Sequence, residues 1–113
     1  MPYDEQLAER VRALLIPLEG YDERKMFGGI CFLLHGHMAC GILHDRLIVR
    51  VGPERYDEAL QQPHTTLFDF TGRPMTGIVQ VAAEGINDDA PLQVWVQRGV
   101  DYAQSLPPKR AKA

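Results

Sequence analysis

Cysteine is scarce in this chain: Cys31 and Cys40 are the only two among 113 residues. Two thiols cannot build the disulfide framework on which small secreted domains rely. Long apolar runs are missing too. No stretch of about 18 apolar residues occurs, so no helical membrane span is expected. The opening Met1-Pro2-Tyr3-Asp4-Glu5 is acidic and lacks the basic and apolar regions of a secretion signal. A cytoplasmic location with reduced thiols is the expectation. A basic excess is the third absence, since 12 Lys plus Arg face 15 Asp plus Glu, for a formal net charge of -3. Autonomous nucleic-acid binding rests on neutralising phosphates, so no direct nucleic-acid contact is expected. Neither G-x-S-x-G nor H-E-x-x-H occurs, and no internal repeat or low-complexity segment is visible.

What remains is ordinary globular material: 45% apolar and 24% charged residues, in one chain too short for two domains. A domain of this size buries roughly two-thirds of the surface that its unfolded chain exposes. We expect a single domain over residues 1–106 and a disordered basic tail over 107–113, from Pro107-Pro108 through Lys109.

Asp4 is a helix N-cap candidate, with Glu5 near the positive end of the helix. Leu7, Val11, Leu14, Leu15 and Leu18 then follow helical spacing. Pro17 biases Ile16 out of helical geometry and ends the helix, and Gly20 to Arg24 reads as a connector. Ile30 to Leu34, His37 to Leu43 and Arg46 to Val51 read as a three-strand meander. Gly52-Pro53-Glu54 opens a second helix whose inner face is Tyr56, Ala59 and Leu60, closed by Pro63. Leu67 to Phe70 and Thr76 to Ala82 read as two more strands. Asn87 or Asp88 caps the last helix, with Leu92, Trp95, Val96, Gly99, Ala103 and Leu106 on one stripe. Gly99 in that stripe costs about 1 kcal/mol against alanine, which a close approach to the sheet would explain. The order α-β-β-β-α-β-β-α predicts an α+β fold with two layers. Its five strands form a mostly antiparallel sheet with the helices on one face.

Turn chemistry predicts the register. His35-Gly36 suits a two-residue type I′ turn, in which both residues need positive φ. Leu34 then faces His37, Leu33 faces Met38, Phe32 faces Ala39 and Cys31 faces Cys40. The His44-Asp45 turn sets Leu43 against Arg46, Ile42 against Leu47 and Cys40 against Val49. One face is uniformly apolar and belongs under the helices: Cys31, Leu33, Met38, Cys40, Ile42, Leu47, Val49 and Val51. The other is mixed, and there Phe32, Leu34, Arg46, Ile48 and Arg50 form an apolar centre with a charged border. That composition suits an interaction surface, for a protein partner or for a homodimer. On this register Phe32→Glu or Ile48→Glu breaks association and leaves the fold intact.

Other candidate chemistry has plainer explanations. Cys31, His35, His37, Cys40 and His44 crowd one hairpin and invite a metal reading. On this register no three of them converge, so no metal or cofactor is expected. Cys31 opposite Cys40 is a geometry that a disulfide could use, although two inert buried thiols suffice. Gly28-Gly29 precedes a strand rather than a helix, which favours a bend over a phosphate loop. Asp69 and Arg73 read as solvated, and Asp88 and Asp89 as helix-terminal acids. No catalytic residue is identified.

The motif Lys25-Met26-Phe27-Gly28-Gly29, the His35-Gly36-His37-Met38 turn, Gly41 and Leu47-Ile48-Val49-Arg50-Val51 resemble the N-terminal domain of the TfoX/Sxy family. The resemblance implies a two-layer fold like that of secretion chaperones. Its named members are bacterial regulators of natural competence that act with the cyclic-AMP receptor protein and carry a further helical domain. This chain ends before such a domain could begin, and Asp69 to Met75 with Leu106-Pro107-Pro108-Lys109 resemble a stand-alone subgroup. The family motif brings no established catalytic residues. A non-enzymatic regulatory or protein-interaction module is therefore expected. The alternative is a small-molecule binder or cryptic enzyme with a pocket between Met26-Phe27 and Arg73-Pro74.

Overall fold

The computed structural model describes residues 3–26, 28–69 and 75–107. Asp4 opens the first helix as its sequence position predicts. Its Oδ1 accepts from the backbone N–H of Gln6 (2.9 Å) and Leu7 (3.2 Å), satisfying two donors of helix α1, Glu5–Leu15. Leu7, Ala8, Val11 and Leu15 form its buried stripe, and the helix ends before Pro17 as expected, but Ile16 is not turned out of helical geometry: it is a C-cap with φ -53° and ψ -40° whose N–H donates to the Arg12 carbonyl. Among the described residues no helix is long and apolar enough to cross a membrane.

The fold is α+β, with six strands rather than five. They are β1 (Tyr21–Met26), β2 (Gly29–Leu34), β3 (His37–Leu43), β4 (Arg46–Arg50), β5 (Thr65–Leu67) and β6 (Ile78–Val81). They form one antiparallel sheet in the order β1-β2-β3-β4-β6-β5. A 3-10 turn (Pro53–Arg55) leads into the short α2 (Tyr56–Leu60), and α3 spans Asp89–Ser105. Helices α1 and α3 pack on each other and on one face of the sheet. The fifth strand sits earlier than the expected Leu67 to Phe70, and Phe70 lies outside the described residues.

The unexpected strand is β1. Its sequence is almost wholly polar, and most of it falls in the expected Gly20 to Arg24 connector. It forms an edge strand, where charged side chains discourage pairing with other chains. Two ties hold it. Tyr21 to Met26 pair with Leu34 to Gly29, and the Arg12 guanidinium of α1 forks onto Glu23 through Nε (2.9 Å) and Nη2 (3.0 Å). The Tyr21 hydroxyl also donates to Glu23, and Arg12 donates to Glu9. The Arg12 hydrogen bonds hold the Glu23 carboxyl below the usual carboxylate range, against an opposing effect of burial. Burial, and then the bond to Glu23, pushes the Tyr21 hydroxyl up to about 12.

These shifts have a pH signature. A depressed carboxylate contributes stability above its unfolded pKa of about 4.3 and loses it as pH falls through the lower folded value. Because the Arg12 and Glu23 side chains are 26% and 31% exposed, the contribution is about 1 kcal/mol. Urea midpoints at pH 7 and pH 3 should therefore fall further for the wild type than for Glu23→Gln. Equal acid sensitivity would remove the tie. Tyr21 works at the other end, with stability present below about pH 10 and lost as pH rises toward 12.

The register of the central hairpin differs from expectation in one residue, and that residue reverses the faces expected for β2 and for the start of β3. His35 and Gly36 do have positive φ (51° and 85°), and Leu34 pairs with His37 and Leu33 with Met38. A β-bulge at Ala39 then shifts the ladder, so that Phe32 pairs with Cys40, Cys31 with Gly41 and Ile30 with Ile42. The β3–β4 register is as predicted, with Cys40 opposite Val49, Ile42 opposite Leu47 and Leu43 opposite Arg46. Slipping one residue sends a strand's side chains to the opposite face. Ile30, Phe32 and Leu34 thus join Cys40, Ile42, Leu47, Val49 and Val51 in the core under the helices. Cys31, Leu33 and Met38 turn to the second face.

The bulge sits where α3 approaches the sheet closely at Gly99. A Cβ added to Gly99 would lie 2.2 Å from the Ala39 carbonyl oxygen, the close approach that a glycine in the buried stripe suggested. Of the expected tail, only Pro107 is described, and its carbonyl accepts from His37 Nε2 at 2.6 Å. Lys109 to Ala113 lie outside the described residues.

Candidate functional site

The five residues expected to form an interaction surface do not come together. Phe32 and Leu34 are core residues, 0% and 1% exposed, so their placement on the open face is corrected by the Ala39 bulge. Ile48 does lie on that face, outside the core cluster, but at 4% exposure between Gly41 and Gln80. Arg46 is exposed and donates from Nη1 to Gln80 Oε1 at 3.2 Å. Arg50 places its guanidinium 5.2 Å from the ring centroid of Tyr102 on α3.

The cysteines do not face each other either. Cys31 pairs with Gly41 while Cys40 points into the core, so the thiols stand on opposite faces of the ribbon and cannot bridge across it. Burial pushes both thiol pKa values up, and the nearby Cys31 adds to the rise at Cys40. Neither is a ready nucleophile at neutral pH. Among the described residues, no three His, Cys, Asp or Glu side chains gather into a metal-binding group. In the family motif, Met26 pairs with Gly29 across the β1–β2 reversal, where Gly28 has φ 77°. Lys25 is exposed beside them on the edge strand. Phe27, Arg73 and Pro74 lie outside the described residues, as does the Met26 side chain, so the pocket expected there does too.

The structure instead collects binding chemistry along the flank of α3. The helix buries Leu92, Trp95, Val96, Gly99, Val100 and Ala103. One strip over, Val94, Arg98, Asp101, Tyr102 and Ser105 follow the three- and four-residue spacing that aligns side chains on a helix. They look toward the turn after β4 and toward the segments around His64 and Glu84. Gly52 permits the close approach of the first of these. Its φ is 89°, and a Cβ there would lie 2.5 Å from the Tyr102 ring.

Two open grooves result. One, of about 330 Å³, runs between Gly52, Pro53, Arg55 and the Arg98, Tyr102 and Ser105 side of α3. The other, of about 400 Å³, is walled by Pro63, His64, Pro91, Val94 and Trp95. Arg98 lines both grooves. Its Cζ lies 5.0 Å from the Trp95 ring centroid, a cation–π stack. Its Nη1 is buried, with no hydrogen-bond partner among the described residues. Among the described residues, the side chains of Arg50, Arg55 and Arg98 make no ion pair and donate no hydrogen bond. Acids line the first groove as well: Glu54, and Asp101, whose Oδ1 accepts from Gln97 Nε2 at 2.8 Å.

Sequence reasoning missed this site although a signal was present. Trp95, Arg98 and Tyr102 stand at helical spacing, but on spacing alone Trp95 counts only toward the inner stripe. The Gly52 turn, which supplies the opposite wall, carries only a helix-start signal in the sequence.

Compared with known proteins, the chain matches the family model described as the TfoX N-terminal domain over residues 13–103. No curated protein and no solved structure gives a match.

Proposed function

The chain belongs to the TfoX N-terminal domain family, and from that premise we propose that it is a non-enzymatic regulatory module that works by docking a partner protein. The regulatory half of this reading comes from the family. The docking half is supported by the flank of α3, where Val94 is 57% exposed beside Trp95 and Arg98, whose side chain donates no hydrogen bond among the described residues. Tryptophan and arginine dominate binding energy where they sit in desolvated pockets, and charged rims tune encounter.

The test compares partner recovery by the wild type and by Val94→Glu from a lysate of the source cells. Val94 is exposed, so the substitution should change stability by no more than about 0.5 kcal/mol. The wild type should retain a partner that Val94→Glu releases at an unchanged melting temperature. Identical recovery by both proteins would overturn docking through this flank.

A further inference from the structure

We infer that a hollow spanning β4, β6 and β5 is a seat for a single phosphate group, held chiefly by Arg46. This goes beyond the docking reading, since the hollow lies on the sheet face opposite α3. Register builds it. Ile48 pairs with Gln80 and Gln80 with Thr66, so these three side chains stand in one row on that face. Two residues along, the Leu47–Val81 pair brings Arg46 beside Ala82, whose N–H donates to the His64 carbonyl at 2.8 Å. Ala82 therefore lies between Arg46 and His64, and its small methyl group leaves a gap. Arg46, His64, Thr65, Thr66, Gln80 and Ala82 line the resulting hollow of about 380 Å³.

Orientation and sign favour an anion. Arg46 is exposed, and its Nη1 donates to Gln80 Oε1 at 3.2 Å while Gln80 Nε2 donates to the Leu67 carbonyl at 3.3 Å. This relay draws the guanidinium across the sheet and uses one of its five N–H donors. No carboxylate lines the hollow, and Arg46 makes no ion pair among the described residues. Asp45, its neighbour in sequence, is not part of the lining.

Donor number decides which anion. The Arg46 guanidinium, the Thr66 hydroxyl and the His64 ring reach the hollow from three separate segments. Three donors match the three terminal oxygens of a phosphate monoester, whereas a carboxylate offers two in one plane. A phosphate also carries nearly two charges, which strengthens its attraction to an arginine that no lining acid opposes. The chain's net charge of -3 disfavours a polyanion, so the ligand carries one such group.

The probe is inorganic phosphate, titrated into the full chain at pH 7 and constant ionic strength while backbone amide resonances are followed. Saturable shifts are expected at Thr66, Gln80 and Ala82, with acetate at least about fivefold weaker. Arg46→Gln should weaken phosphate at least about tenfold at an unchanged melting temperature, and Arg46→Lys should recover part, because it restores the charge without the fork. Ala82→Leu fills the gap without altering charge and should remove the binding as well. Shifts that never saturate, acetate as tight as phosphate, or equal binding by Arg46→Gln would overturn the seat. The acetate comparison uses the wild type alone and so stands even if a variant does not fold. Two sources share this chemistry. Glucose 6-phosphate binding more tightly than a capped phosphoserine peptide would assign the seat to a free metabolite, and the reverse order to a phosphorylated protein segment. Val94→Glu should leave the phosphate midpoint unchanged, so loss of the dock and loss of this seat are read separately.

Discussion

Phe32→Glu should abolish the folded state. Phe32 is 0% exposed and sits among Cys40, Leu34 and the inner faces of α1 and α3. Removing a buried phenylalanine alone costs about 3–5 kcal/mol. A carboxylate in its place must also lose its hydration or stay protonated, which adds several kcal/mol more. Total stability for a domain of this size is about 5–15 kcal/mol, so the substitution consumes most or all of it. Circular dichroism at 25 °C should show a largely unfolded chain, or a urea midpoint close to zero. Ile48→Glu is the contrast. Ile48, at 4% exposure, is buried too, but it lies outside the core cluster on the opposite face, between Gly41 and Gln80. Its cost should stay within about 1–3 kcal/mol, and the protein should remain folded. If Phe32→Glu melted like the wild type, the Ala39 bulge would be wrong and Phe32 would lie on the open face.

That contrast marks the boundary of what the sequence discloses. Features decided by near neighbours were legible. Asp4 caps α1 through donors two and three residues away, and the His35-Gly36 turn takes its two positive φ values as its residue types require. The His44-Asp45 connection likewise sets β4 against β3 as read. Features decided by distant parts of the chain were not. The bulge adds one residue to β3 opposite a regular β2, and nothing local in His37-Met38-Ala39-Cys40 demands it. What singles out Ala39 is Gly99, far along the chain, whose missing side chain lets α3 rest on the Ala39 carbonyl. Strand β1 is the same case in another form. Its charges argue for a loop until β2 supplies a pairing edge and Arg12 supplies a counter-ion for Glu23. The groove site depends on both kinds of information: the spacing of Trp95, Arg98 and Tyr102 is local, but the Gly52 wall that turns it into a cleft is not.

Gly99→Ala should test the distant contact on which that register depends, and its sign is the informative part. In an ordinary helix interior, alanine for glycine stabilises by about 1 kcal/mol. Here the new Cβ would lie 2.2 Å from the Ala39 carbonyl oxygen and 2.9 Å from its carbon, both backbone atoms that no rotamer change can move. Either α3 lifts from the sheet or the bulge deforms, and overpacking of this kind costs about 1–3 kcal/mol, with a backbone clash at the upper end. The net expectation is a loss of about 2 kcal/mol, or a melting temperature lower by roughly 8 °C for a chain of this length. The damage should also have an address. Because α3 rests on the bulge, lifting it loosens the β3 ladder first, so the Cys40 and Gly41 amides should exchange faster with solvent while those of β5 and β6 change little. A raised melting temperature would mean that α3 does not touch Ala39. The physical reason for the bulge, and with it the sorting of Phe32 and Cys31 to opposite faces, would then have to come from elsewhere.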